Sequence, residues 1–346
     1  MATTEEFVGR AVGDVGAALS VAMLRVGDRL GLYRALADGG PQSPAEIAAR
    51  TGTNELLVGQ WLGNQAAGGW LSYDPDAGTY ELPEGHVPVL ADPDSPVFFG
   101  GLAEVVTAVF ADTDRVAEAF LGRPLPWHEH DERLFGGTER FFRPGYAANL
   151  VRGWIPALVG VEDALRRGAR VADVGCGHGV STVLLAQAYP ASTFVGSDYH
   201  AESVERARTV AAEAGVADRV RFEKLPAHQV GGGPYDLICV FDALHDMGHP
   251  VEVLAHLRGQ LATGGTVMLV EPYAADRVED NLTPVGRVYF AASAAICTPG
   301  GLSQRGNPLG AQAGPTRTGE VARSAGFTGF RMATSTPFNA VYELTC

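Results

Sequence analysis

The segment best suited to chemistry is Val171-Ala172-Asp173-Val174-Gly175-Cys176-Gly177-His178-Gly179, where a short buried-type strand runs into three alternating glycines. Glycine lets a chain turn sharply out of a strand and lets a ligand approach the backbone closely. A helical stretch from Val180 to Ala188 follows at once. The dinucleotide pattern G-x-G-x-x-G is not met, because its third glycine falls on Val180. Asp173 would repel a pyrophosphate and favour a ligand bearing an ammonium or sulfonium charge. Nineteen residues beyond Gly179, at the end of the next strand-like run, Asp198 stands where a carboxylate takes both hydroxyls of a ribose. A nucleoside ligand is implied. The run Tyr235 to Phe241 then leads into Leu244-His245-Asp246, which places His245 just past the sheet edge at which doubly wound folds bind ligands. Asp246 is expected to cap the helix that follows.

The elements that must hold these residues alternate. VADVG, TFVGSD, VRFEKL, YDLICVFDA and TVMLVEP are separated by helical stretches, a pattern that implies βαβ units and a parallel sheet. The expected fold class is α/β, with a Rossmann-like doubly wound domain over residues 151–346. Residues 1–95 read differently. Val12, Val15, Leu19, Met23, Val26, Leu30 and Leu32 recur at helical spacing and end at Gly39-Gly40, as one or two amphipathic helices. Ser43 and Glu46 form a capping box, a second helix runs from Asn54 to Gln65, and GGWLSYDPDAGTYEL reads as strand, turn and strand. Helix, turn, helix and hairpin spell an N-terminal winged helix. Residues 96–150 read as a lid of helices broken at Gly122, Pro124, Pro126, Gly136 and Pro144. Ala274 to Gly314, between the fifth strand and the last helix, reads as an insertion beside the site.

Residues 151–346 resemble a class I S-adenosylmethionine-dependent methyltransferase, Asp173, Gly175, Gly177 and Gly179 matching its first motif and Asp198 its second. With the winged helix, the whole chain is similar to small-molecule methyltransferases of plants and antibiotic pathways that dimerise through that domain. The resemblance implies S-adenosylmethionine as methyl donor and S-adenosylhomocysteine as product, held also by Tyr199, Leu225, Ala227 and Phe241. His245 matches the histidine of the plant-type L-H-D-W segment, which takes a hydroxyl proton, and Glu271 matches one of the two acids that orient it. The second acid has no counterpart, the corresponding stretch reading Gly310-Ala311-Gln312-Ala313-Gly314. Trp127, His128, Tyr146, Met247 and His249 are the expected lining for a small organic acceptor. O-methylation is the leading reading. N- or C-methylation, a repurposed non-methylating enzyme, and a regulator that senses the cofactor stay open.

Composition bounds the partners. The 40 acids against 26 bases give a net charge of −14, and Lys224 is the only lysine. A polyanion is not an expected ligand on that balance, and residues 1–95, with 13 acids and five arginines, lack the footprint of a DNA-binding module. Cys176, Cys239, Cys297 and Cys346 form no C-x-x-C pair, so neither a zinc cage nor a disulfide framework is expected. His128 and His130, two residues apart in Trp127-His128-Glu129-His130, are a poor basis for a metal site, and none is expected. The N-terminus is acidic and no apolar run approaches the roughly 20 residues that span a bilayer. The expectation is a cytoplasmic homodimer without membrane or nucleic-acid partners.

Overall fold

The computed structural model describes residues 3–346, which divide into two compact units. One runs to Ala111 and adds Glu132–Gly145; the other comprises Asp112–Asp131 and Tyr146–Cys346. The segment expected as a separate lid is therefore shared between the two.

In the first unit, helices Thr4–Leu30 and Leu32–Gly39 are joined at Gly31, which takes a left-handed conformation with φ of 71°. Ser43 and Glu46 make the capping box of helix Pro44–Thr51, and Asn54 caps helix Glu55–Ala67. Strands β1 (Ser72–Asp74) and β2 (Thr79–Glu81) pair antiparallel with Tyr73 opposite Tyr80. These helices bury Leu24, Tyr33, Leu36, Ile47, Trp61 and Leu62 together. Two polar edges are satisfied inside that core: Tyr33 donates to Gln65 Oε1 at 2.5 Å, and Trp61 Nε1 donates to Met23 O at 2.8 Å. Helix Arg133–Asn149 continues through Gly136 and Pro144, where breaks were expected. Its Gly137 lies so close to helix Gly100–Ala111 that a Cβ there would come within 2.9 Å of Val105 N. Packing overrides the local signal.

The first helix also corrects the reading of the N-terminus. Thr4–Leu30 is long and apolar enough to cross a membrane, because Ala, Gly and Val fill the spaces between its few charges. Its C-terminal part buries Leu24 and Gly27, whereas Val8, Val12, Val15 and Leu19 are exposed.

The second unit is built on a seven-stranded sheet in the order β5-β4-β3-β6-β7-β9-β8. β3 (Arg170–Val174), β4 (Thr193–Asp198), β5 (Val220–Lys224), β6 (Tyr235–Phe241) and β7 (Leu261–Pro272) are parallel. β8 (Gly329–Ser335) and β9 (Asn339–Thr345), which the strand pattern did not foretell, pair antiparallel with each other, and β9 with β7. The chain leaves β3 toward β4 and later returns to its other side as β6, so a crevice opens at the carboxyl end of β3. Val174, Ile238, Val240, Leu254, Leu257, Val267, Leu269 and Tyr342 fill the core beneath it. Leu254 is fully buried, and Leu254→Ala is expected to cost about 2–5 kcal/mol, read as a lower denaturant midpoint at unchanged slope.

Candidate functional site

The glycine turn is held from β4. Gly175 N and Cys176 N both donate to Ser197 O, at 2.8 and 3.0 Å, and Gly177 N donates to Asp198 Oδ2 at 3.0 Å. The other carboxylate oxygen accepts from His200 N at 2.9 Å. Each oxygen of Asp198 thus keeps one lone pair for a ligand hydroxyl. The glycines divide the work. Gly177, with φ of 51°, has nothing within 4 Å of the place a Cβ would occupy, so a ligand can come down onto the backbone there. Gly179, with φ of 77°, opens helix Val180–Ala188, and a Cβ would meet the Phe222 ring at 2.7 Å; it serves close packing. At Gly175 a Cβ would meet Ala243, with the Met247 methyl next beyond it.

Around the turn, Leu225 N donates to Asp198 O at 2.9 Å, and the single helical turn Ala227–Gln229 begins two residues later. The Tyr199 ring meets that of His128 edge-on, 6.1 Å between centroids. Phe241 ends β6 with its ring centroid 5.5 Å from that of Tyr146. The Tyr146 hydroxyl donates to Asp242 Oδ2 at 2.7 Å, and Asn339 Nδ2 donates to both oxygens of the same carboxylate. Asp242, whose φ of 47° marks the abrupt end of the strand, is a site residue the sequence reading missed. Its signal was position alone, an acid directly after a buried strand. His249 stands apart from the set, its Nε2 3.2 Å from Gln304 O.

Acids crowd this edge. Asp173 accepts from the Ser181 and Thr182 hydroxyls at 2.7 and 2.5 Å through Oδ2, while its buried Oδ1 has no hydrogen-bond partner. Burial pushes the Asp173 carboxyl up to about 6 despite those donors, and Asp198 adds to the rise. Burial likewise pushes Asp242 up to about 7, against the Tyr146 donation and with help from Glu271. The Asp198 carboxyl is also raised by burial, against two backbone N–H donors. Buried carboxylates that hinder one another's ionisation make a field suited to a cation.

At the centre of the edge, the short turn Leu244–Asp246 carries His245, 4% exposed. His245 Nδ1 lies 2.5 Å from Glu271 Oε2, and Glu271 Oε1 accepts from Leu244 N at 3.2 Å. Glu271 therefore orients the ring. Nε2 lies 3.1 Å from Asp246 Oδ1, and Asp246 Oδ2 accepts from Trp127 Nε1 at 2.9 Å. Asp246 is thus a partner of His245 and Trp127; helix Pro250–Arg258 begins at His249 without a side-chain cap, which corrects the expected role. Burial opposes charge on His245, but Asp246 and Glu271 outweigh it and hold the imidazole well above its ordinary value. Where the second acid of the resembling enzymes would stand, Gly310 N donates to His245 O at 3.0 Å, and Gln312 buries an Oε1 with no hydrogen-bond partner. The residues present fit a nucleoside with a positive charge, on three observations: the open face at Gly177, the lone pairs of Asp198 and the orphaned Asp173 Oδ1.

A winged helix followed by a seven-stranded doubly wound sheet with an antiparallel end, and a glycine turn facing an acid on the next strand, is the architecture of class I S-adenosylmethionine-dependent methyltransferases. The chain has this two-domain make-up: residues 17–92 match the Rv2258c-like winged HTH domain and residues 165–307 the Methyltransferase domain. It is 31% identical over 133 residues to a ubiquinone biosynthesis O-methyltransferase of Bordetella avium, covering 37% of this chain and 52% of that protein. The matches span at most about half the length of the curated relatives. Among solved structures it resembles an O-methyltransferase family protein from Burkholderia thailandensis (TM-score 0.70, 19% identity, 100% of this chain and 98% of that one). Human N-acetylserotonin methyltransferase, solved in complex with SAM, gives a TM-score of 0.70 at 17% identity over 100% of this chain and 99% of its own. At these identities the likeness is one of fold.

Proposed function

We propose that this protein transfers the methyl group of S-adenosylmethionine to a hydroxyl oxygen of a small organic acceptor, with His245 receiving the hydroxyl proton. The observation that carries this reading is the oriented imidazole: Glu271 takes Nδ1–H, so that Nε2, beside Asp246 Oδ1, is the nitrogen left to receive a proton. Asp198 would hold the ribose hydroxyls, the face of Gly177 would receive the methionine part, and Asp173 and its neighbouring acids would favour the sulfonium and ammonium charges. A cation held by those acids works against an imidazolium nearby and so favours the neutral imidazole that a proton acceptor must be. Trp127, Tyr146 and Met247 would close the acceptor side, and catalysis would rest chiefly on holding oxygen and methyl at attack distance away from water. The test is S-adenosylhomocysteine release, with methylated product identified by mass, across phenols, alcohols and amines. Turnover of amines alone would overturn the choice of oxygen.

Asp173 supplies a pH test. A bound cation stabilises its carboxylate and lowers its pKa below the free protein's value of about 6, so binding near that pH releases a proton. Affinity for S-adenosylmethionine is expected to be full above pH 6 and to weaken as the pH falls through it. Calorimetry in two buffers of different ionisation enthalpy, at pH 6 and pH 8, checks both the affinity and the proton.

The same reading assigns the exposed stripe Val8, Val12, Val15, Leu19, Val26 and Leu30 to a second copy of the chain, since its spacings of three, four and seven residues put it along one side of the first helix. Light scattering is expected to return a dimer mass for the wild type and a monomer mass for Val12→Glu/Val15→Glu, with the fold kept because neither residue is buried. A monomeric wild type at micromolar concentration would end the assignment.

A further inference from the structure

The geometry points to a binding site for a single divalent cation of the zinc class, formed by His245, Asp246 and Cys297 and occupied in competition with the methyl acceptor. A ring nitrogen of His245, a carboxylate oxygen of Asp246 and Sγ of Cys297 all lie within 4.8 Å of one another, with His245 Nε2 3.1 Å from Asp246 Oδ1. Around a tetrahedral zinc with bonds of about 2.0–2.3 Å, ligand atoms stand roughly 3.3–3.8 Å apart, so shifts of about 1 Å or less would close the three on an ion. No expectation from sequence pointed here, because Cys297 is 51 residues from Asp246 and the ligands share no motif.

The surroundings are those of a metal site. Metal-bound histidines commonly donate their other ring N–H to a carboxylate, and Glu271 already takes Nδ1–H at 2.5 Å, which leaves Nε2, beside Asp246, as the nitrogen that would bind an ion. Trp127 Nε1 holds Asp246 Oδ2 at 2.9 Å, leaving Oδ1 as the ligand atom. That Oδ1 is buried, 3.1 Å from His245 Nε2. Cys297 is presented by the π-helical turn Ser293–Cys297, a form of backbone that recurs at functional sites. Three ligands leave a fourth position for water or an acceptor oxygen.

The exchange balances. A divalent ion binds the deprotonated forms of its ligands, so its entry sends the Cys297 thiol proton, and any proton on His245 Nε2, to solvent. Binding consumes the Nε2 lone pair, so an occupied site cannot take a proton from the acceptor. Metal binding itself is independent of methyl transfer; only its inhibitory consequence rests on the proposed function.

The test uses the full chain carrying Cys346→Ser, which removes the one exposed thiol. Titration with cobalt(II) is expected to give one ion per chain and a thiolate-to-cobalt charge-transfer absorption, bleached by stoichiometric zinc. Adding Cys297→Ser is expected to abolish the band, and Trp127→Phe to weaken zinc binding about 10–100-fold, as loss of an outer partner does. Both should leave S-adenosylhomocysteine affinity unchanged, which shows that the variant is folded; if Cys297→Ser is not, Trp127→Phe decides. Zinc is expected to inhibit competitively with acceptor and not with S-adenosylmethionine. Absence of a thiolate band, its survival in Cys297→Ser, or undiminished zinc affinity in Trp127→Phe would overturn the site. If no acceptor is turned over, the cobalt spectra still decide the metal site, so failure of the two readings is told apart.

Discussion

His245→Ala is expected to lower kcat by about 10²–10⁴, the usual contribution of a positioned proton acceptor, and to leave S-adenosylhomocysteine affinity nearly unchanged. Removing the ring also leaves Glu271 and Asp246 buried without the group between them, so the alanine variant loses stability as well as chemistry. His245→Gln is the companion variant, because its amide can still donate to Glu271 while offering no basic nitrogen. Both variants should show the same loss in kcat, with the glutamine protein melting closer to wild type. A rate within about threefold of wild type in His245→Gln, with a hydroxylated acceptor turned over, would reduce His245 to positioning and leave proximity as the main source of rate.

Asp198→Ala is expected to weaken binding of S-adenosylmethionine and S-adenosylhomocysteine at least about tenfold, since hydrogen bonds to a charged group contribute about 1.5–3 kcal/mol each. Two effects combine. The ribose hydroxyls lose their acceptor, and the turn loses the tie from Gly177 N to Asp198 Oδ2 at 3.0 Å. Asp198→Asn separates them, because its single carbonyl oxygen can keep one of the backbone bonds while the charge is gone. Unchanged calorimetric affinity in Asp198→Ala would remove the residue from the cofactor site.

The parts of the site that were legible lie within short stretches of chain. Asp173, Gly177 and Asp198 fall on one strand, turn and strand, where spacing alone dictates proximity, and the structure ties the glycine turn to the second strand through Ser197 and the Asp198 carboxylate. His245 and Glu271 were found through resemblance, and lie together because β6 and β7 are neighbours in the sheet. What was missed depends on long returns of the chain. Trp127 reaches Asp246 across 119 residues, and Asn339 reaches Asp242 across 97. Asp246 was read as a helix cap because an acid before a helix has that local meaning, whereas the histidine beside it had the stronger claim. β8 and β9 escaped notice for a related reason: β9 is buried along nearly its whole length and so carries no alternation, and the pair is registered only against each other and β7. The first helix was misjudged by counting large apolar residues when its alanines and glycines matter as much.

One wall of the site is sewn to its centre. Gly310 N donates to His245 O, Asn307 N to Gly248 O, and Gly248 N to Gln304 Oε1, so the strand of loop from Gln304 to Gly310 hangs on the same short turn that carries His245. At Gly306 the backbones are so close that no side chain would fit between it and Gly248. Natural drift or laboratory grafting that reshapes this loop to admit a bulkier molecule therefore cannot leave the imidazole where it was. New tastes in this scaffold come bundled with altered reactivity, and a change of loop that preserves the two backbone bonds and the Gln304 side-chain bond will succeed where a freer exchange yields a well-folded but idle protein.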